Sequence, residues 1–547
     1  MQICLHSSKS PVRSALFVLA ALAALVLAAC GDDSDSGSTD GPDPATVTPA
    51  DAVVYMGATI RPEGDQKSDL DSALSKLLGD GDPGARITAL LDEELSDEGL
   101  SYSEDVEPWL GQTAGLFFTD FSGDDGDGAA AIATTDGEAA LAAVEKAQKG
   151  DELEDATYEG TSYKRDTEDD TAFGIVGDFL VSGTESGMKA AIDASASEAL
   201  ADDEAASSAL ADTPENSLFE VYVDTGRAID LAVDGGIVDE KDLESAGAQL
   251  DELQEGPIVV SGGATADSMT IETSAPQGSD TADPTDIVST LPSGSWLAVG
   301  APMVGESIAA GYDSFVQALE ASLAVQGGSI PGGAQDLSAI EPPDVRAEIK
   351  KQLGVDLSKD LGWMGDVGVF IQGGSLFSLG GGLVIETDDP DAATAALSKV
   401  ARALAREPDV QVRRTADGFE LQAGPAGADV SIGDDKVIVA IAGIGVDDVL
   451  SPSETLEGSE SFEAASGALG DDLTPAMFVD FPTIIGLIES TGQTGSPEFQ
   501  QAEPVLNALD YLIAGSGSSD DRAIGRLVLG VKDGGGSSDA PAASIAP

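Results

Sequence analysis

The cysteine in Leu27-Ala28-Ala29-Cys30 is the residue with the clearest chemistry in this chain. It closes an apolar run from Ala15 to Val26, which Lys9 and Arg13 precede, and Gly31-Asp32-Asp33-Ser34-Asp35 follows at once. A positive start, a short apolar core and a small-residue cut site are the marks of an export signal. A cysteine directly after such a cut is the acceptor of a thioether-linked diacylglycerol. Cys30 is therefore expected to be lipidated, with palmitate-type acyl chains, and residues 1–29 to be removed as the signal peptide. The apolar run is shorter than the roughly 20 residues of a spanning helix. Each buried acyl CH₂ adds about 0.8 kcal/mol, and more than one chain makes the anchorage stable. The expected location is extracytoplasmic, on the outer face of the cell membrane, with the membrane as partner through the lipid.

Other stretches carry weaker signals. Ser186-Gly187-Met188-Lys189 fits S-x-x-K, which places a serine nucleophile and a lysine one helical turn apart, but neither S-D-N nor K-T-G accompanies it. The Asp-rich loop Asp120-Phe121-Ser122-Gly123-Asp124-Asp125-Gly126-Asp127-Gly128 has the oxygen donors calcium takes. Its sixth position is Asp125, where the EF-hand register requires glycine, so a solvated hairpin loop is the favoured reading. Gly443-Ile444-Gly445 lacks the third glycine of a dinucleotide loop and reads as a strand-to-helix turn. Asp224 and Asp480 end similar strands just before helical runs, where Asp is a natural N-cap. Trp109 and Trp363 precede similar strands and are expected in the core.

Counts exclude more than motifs support. The cysteines are Cys4 and Cys30, and the one histidine is His6. After signal removal the body would hold no histidine and no free thiol. Ser-His-Asp and Cys-His catalysis and His- or Cys-ligated zinc sites are then impossible. No cofactor, metal site or catalytic set is expected. The chain has 99 acidic and 26 basic residues, net −73, a charge that repels nucleic acid. Hydrophobic residues make up 42%, enough for a sizeable core, and aromatics only 5%, so that core is expected to be packed from small and aliphatic side chains.

The elements that would position these residues come in two matching series. Pro49-Ala50-Asp51-Ala52-Val53-Val54-Tyr55-Met56-Gly57 is echoed by Pro292-Ser293-Gly294-Ser295-Trp296-Leu297-Ala298-Val299-Gly300. Trp109-Leu110-Gly111 is echoed by Trp363-Met364-Gly365, and the helical run from Asp136 to Lys146 by that from Asp389 to Lys399. Glu159-Gly160 returns as Asp417-Gly418, Leu218 to Asp224 as Ala476 to Asp480, and Leu250-Asp251-Glu252-Leu253 as Leu509-Asp510-Tyr511-Leu512. Collinear matches of this kind mark an internal repeat. The expected fold class is α+β, as two tandem similar units, each mainly antiparallel sheet with packed amphipathic helices. Leu70, Leu74, Leu77 and Leu78 give the helical face in the first unit; Ile308, Tyr312, Phe315 and Leu319 give it in the second. The expected boundaries are a signal at 1–29, a flexible acidic tether at 30–48, a first unit at 49–275 and a linker at 276–286. A second unit at 287–533 and a disordered tail at 534–547 complete the chain.

The opening Pro49 to Met56, then Arg61-Pro62-Glu63-Gly64-Asp65-Gln66 before the Leu-rich helix, and Trp109-Leu110-Gly111 before a strand together resemble an actinobacterial and cyanobacterial envelope family, a domain of unknown function. The resemblance spans most of the body and implies no catalytic residues. In the second series Ala301-Pro302-Met303-Val304 replaces the Arg-Pro-Glu-Gly segment. The expected function is a non-enzymatic, membrane-anchored surface lipoprotein that binds a ligand, small molecule or protein, or organises the envelope. The alternative is a carboxylate-dependent hydrolase of cell-wall glycans, since acids are abundant enough to form pairs.

Overall fold

The structure is a computed structural model that describes residues 41–79, 82–97, 99–121, 126–148, 152–166, 170–214, 216–234, 256–278, 283–308, 350, 354–375, 378–424, 426–490, 494, 496–519 and 522–533. Cys30 and the signal, most of the tether, the center of the Asp-rich loop, Leu250 to Leu253, the helical face from Tyr312 to Leu319 and the tail lie outside the described residues. The fold mixes helices with antiparallel sheet, as expected for α+β. It divides into two compact units, Met1–Ser279 with Gln501–Leu509 and Ser518–Pro547, and Asp280–Gln500 with Asp510–Gly517.

The strands are β1 (Val54–Thr59), β2 (Leu110–Asp120), β3 (Asp127–Thr134), β4 (Leu153–Tyr158), β5 (Thr161–Asp166), β6 (Thr171–Val176), β7 (Phe179–Thr184), β8 (Ser217–Val223), β9 (Ile258–Thr265) and β10 (Ser268–Pro276). They continue with β11 (Ser295–Ala301), β12 (Val367–Gln372), β13 (Gly380–Glu386), β14 (Val410–Arg414), β15 (Gly418–Ala423), β16 (Ala426–Ile432), β17 (Lys436–Ile441), β18 (Thr474–Asp480), β19 (Leu509–Ser519) and β20 (Arg522–Val531).

In the first unit the antiparallel order is β4-β5-β6-β7-β3-β2-β1-β8-β9-β10-β20. The β4–β5 turn is made by Glu159 (φ 48°) and Gly160 (φ 88°), two consecutive left-handed residues, as a type I′ hairpin requires. One face of this sheet packs Phe117, Ala129, Ala131, Tyr163, Phe179, Val181 and Met188. The helix Glu185–Ala196, capped by the Thr184 hydroxyl on the Gly187 amide, closes over it. Against the other face Ile60 and Trp109 pack with Ile87 and Leu91 of the helix Pro83–Asp97 and Ala140 of the helix Gly137–Ala147. Alanines along β3 let helices approach closely, which explains how so few aromatics fill the core.

In the second unit the order is β14-β15-β16-β17-β13-β12-β11-β18-β19, again antiparallel throughout. Trp363, Val367, Ile385, Ala393, Phe419 and Val430 form one of its clusters beneath the helix Pro390–Leu404. Asp389 caps that helix at the Ala392 amide, as Asp136 caps Gly137–Ala147 in the first unit.

Three expectations are corrected. The first is the tether: Asp43 to Thr48 is a capped 3₁₀ turn with Pro44, Ala45 and Val47 buried. The Asp43 carboxylate accepts from the Ala45 amide, and Ala45 and Val47 drop into two clusters of the core. Order begins before Pro49 because a capping Asp and two small apolar residues outweigh a polar composition. The second is the C-terminal boundary: of the described residues, 501–509, 518–519 and 522–533 belong with the first unit, where β20 runs the full length of β10. The third is the Leu-rich face: Leu70 and Leu74 are buried, but Leu78 is 39% exposed. That helix, Gly64–Leu78, stops at the left-handed Gly79, so its last residue leaves the packed stripe.

Candidate functional site

Most residues singled out by sequence serve the fold. Ser186 is exposed in the first turn of its helix, while Lys189 pairs with Glu185 at 2.8 Å. That carboxylate raises the Lys189 pKa, the reverse of what a general base needs. Asp224 Oδ1 accepts from the Arg227 amide at 3.0 Å and so caps its helix, whereas Asp480 Oδ2 accepts from the Thr483 hydroxyl at 2.6 Å. Gly443-Ile444-Gly445 turns β17 into the short helix Val446–Leu450, with antiparallel neighbours and no βαβ context among the described residues. Ser122 to Asp125 lie outside the described residues, and no group of three or more metal-ligating side chains occurs among the described ones.

Trp109 and Trp363 are both buried. Trp109 Nε1 donates to the Asp105 carbonyl at 2.6 Å, whereas the buried Trp363 Nε1 has no partner among the described residues. The loop before each tryptophan is tied alike. Asp105 accepts from the Ser101 amide and from Lys146, and Asp360 accepts from the Asp356 amide and from Lys399. The Arg61 to Gln66 segment is also a brace. Arg61 donates to the Leu110 carbonyl at 2.9 Å and Gln66 to the Ser217 carbonyl at 3.0 Å.

The site that sequence did not single out lies on the inner face of the first sheet. Gly57 stands opposite Gly115 on β2 and opposite Glu220 on β8. A methyl group on Gly115 would come 2.5 Å from Pro44 Cβ, and one on Gly57 would come 2.6 Å from Tyr55 Oη and 2.9 Å from Glu220 Oε1. The paired glycines thus form a seat for the opening turn, with Tyr55 and Glu220 crowded against it. Tyr55 is 0% exposed, and its hydroxyl has no partner of normal geometry among the described residues.

Burial sets the electrostatics. The Glu220 carboxyl is pushed up to about 7, by desolvation first and then by the Asp43 charge. Tyr55 is held well above the ordinary phenol value by desolvation, then by Glu220 and Asp43. Tyr222, opposite Tyr55, is pushed up to about 12 by desolvation, then by Asp224 and Asp203, with Arg227 opposing. From Glu220 a polar row continues across the sheet through Ser261 to Glu272 and Arg526. Ser261 and Glu272 are buried, and Arg526 Nη2 meets Glu272 Oε2 at 2.5 Å. Strand spacing sets the Glu220 and Glu272 backbones about 10 Å apart. Ser261 stands between them, and the Glu272 carboxylate is engaged by Arg526.

The second unit has the same seat without the acid. Gly300 and Gly368 are cross-strand partners on β11 and β12, beneath Ile287, Val288 and Leu291 of its own opening turn. Ala298 and Phe478 occupy the places of Tyr55 and Tyr222, and Ala476 stands two residues before Phe478 as Glu220 does before Tyr222. The available sequence signal was the contrast itself, a lone acid in the apolar run Leu218 to Val223 set against alanine in the matching run.

No curated protein matches the chain. Among solved structures, crystal form I of TP0453 aligns with a TM-score of 0.24 at 10% identity, covering 45% of this chain and 83% of that one. Crystal form III of TP0453 gives 0.23 at 11% identity, covering 45% and 84%. The family model described as "Protein of unknown function (DUF3352)" matches residues 12–527, and the chain belongs to that family.

Proposed function

We propose that this protein is an extracytoplasmic lipoprotein, anchored to the outer face of the cell membrane through Cys30, and that its body acts by binding or by organising the envelope. The observation that carries the reading is Leu27-Ala28-Ala29-Cys30 at the end of an apolar run, with a polar segment directly after it. No helix of the described residues is long and apolar enough to cross a membrane, so a helical anchor among them does not compete with the lipid. The body reads as two tandem copies of one unit, supported by the shared order of strand pairing and by the glycine seat at the start of each. A binding role is favoured over glycan hydrolysis because, in the carboxylate row described above, Ser261 stands between Glu220 and Glu272 and Glu272 is engaged by Arg526.

The test is metabolic labelling with an alkyne fatty acid, followed by membrane fractionation of the wild type and Cys30→Ser. Label on the wild type alone, with the variant in the soluble fraction, is the expected outcome. A wild type that takes up no label, with Cys30→Ser still membrane-bound, defeats the anchor. Separately, release of sugar from wall polymer that vanishes in Glu220→Gln or Glu272→Gln would defeat the non-enzymatic reading.

A further inference from the structure

The opening turn and Glu220 share one support. Pro44 lies on Gly115, Glu220 Oε1 lies against Gly57, and these glycines are direct cross-strand partners. Asp43, which caps the turn through the Ala45 amide, bears its charge toward Glu220. We infer that the turn Asp43–Val47 is a releasable clasp, docked on the glycine seat while Glu220 is protonated and lifted when Glu220 ionises beside Asp43.

The charge that acts on Glu220 is that of Asp43, and it opposes ionisation. From the turn comes Asp43; from β1, Tyr55; from β8 itself, Tyr222, which Asp224, Asp203 and Arg227 surround; from β9, the uncharged Ser261. The one cation of the row, Arg526, is bound to Glu272. Ionised Glu220 therefore has a carboxylate neighbour and no cation directly opposite. The titration is pushed into the neutral range by burial and by Asp43.

The second unit shows that the seat needs no acid. Ile287, Val288 and Leu291 close it with apolar contacts over Gly300 and Gly368. A carboxyl at the first seat makes docking weaker at neutral pH than an apolar residue would, and a local rule broken in this way is expected at functional or strained sites. Release would free residues 41–48, about 25 Å of extended chain. That consequence, a longer reach for an anchored body, rests on the lipid-anchor reading; the clasp does not.

The experiment is hydrogen exchange on the full-length chain at pH 6 and pH 8, with rates corrected for intrinsic chemistry. It follows the Ala45, Thr46 and Thr48 amides, which are bonded to Asp43 Oδ1, the Asp43 carbonyl and the Ala45 carbonyl. Protection in the wild type should fall at least tenfold from pH 6 to pH 8 and stay flat in Glu220→Gln. Glu220→Ala, which restores the residue of the second series, should also stay flat and guards against misfolding of the first variant. Protection that is unchanged by pH in the wild type, or that falls equally in both variants, overturns the clasp. Loss of the anchor in the Cys30 experiment with pH-dependent protection intact would overturn the anchor alone.

Discussion

Gly57 and Gly115 face each other across β1 and β2, and Pro44 occupies the space that a side chain on Gly115 would need. The turn Asp43–Val47 is thus held by two missing side chains. Gly115→Ala would put a methyl 2.5 Å from Pro44 Cβ and 3.3 Å from the Tyr55 ring. Overpacking of this kind costs about 1–3 kcal/mol. A lower urea midpoint is expected, together with faster proteolysis near residue 45. Gly525→Ala is the control, since nothing lies within 4 Å of a methyl there, and it should leave the midpoint unchanged.

Two carboxyls should give stability opposite pH slopes. Glu220 holds its proton more tightly in the fold, with its pKa raised from 4.5 to about 7. Its contribution is therefore lost as pH rises from about 4.5 through 7, and the penalty above that is at most about 3 kcal/mol. Glu185 is lowered to about 2, by Lys189 first and then Tyr163, with Arg165 adding to it. Its contribution is present above about 4.5 and is lost as pH falls toward 2. Urea midpoints from pH 3 to 8 should flatten on the neutral side in Glu220→Gln and on the acid side in Glu185→Gln. Equal slopes in wild type and variant would refute the assignment in each case.

Much of the fold was readable because its signals are local. Two-residue turns such as Glu159-Gly160, capping aspartates such as Asp136 and Asp389, and apolar strands such as Leu218 to Val223 depend on neighbours in sequence. The docked turn was not readable, because Asp43-Pro44-Ala45 is polar and small, and what buries it is Gly115, far along the chain. The place of β20 was missed for the same reason: its partner β10 lies some 250 residues earlier, and alternation in a strand does not name its neighbour. Glu220 could have been found by asking why one strand of a matched pair carries an acid.

The two core tryptophans should respond differently to the loss of the indole nitrogen. Trp109→Phe removes a donor to the Asp105 carbonyl, while Trp363→Phe removes a buried N–H with no partner among the described residues. Both lose similar ring volume, so the difference combines the lost hydrogen bond with relief of the unpaired N–H, together about 1 kcal/mol or more. Trp109→Phe should be the more destabilised by that amount in chemical denaturation. Equal losses would mean that the Asp105 contact contributes nothing.

The ion pair of buried Glu272 with partly exposed Arg526 fastens β20 to the sheet. The Glu272 side chain is 6% exposed, and Arg526 donates to it through Nε at 2.7 Å. Nearby, Arg522 donates to the Ser274 hydroxyl and to the Pro257 carbonyl. Arg526→Met would leave a carboxylate buried without its cation, a loss of roughly 3 kcal/mol or more. Replacing both partners, Glu272→Leu with Arg526→Met, removes the desolvation of two charges together with their attraction, and such exchanges are often neutral. The double variant should therefore recover most of the stability lost by the single one, measured as unfolding midpoints at pH 7. If it is as unstable as Arg526→Met alone, the arginine acts through other contacts, and the ion pair is not what holds β20 against β10.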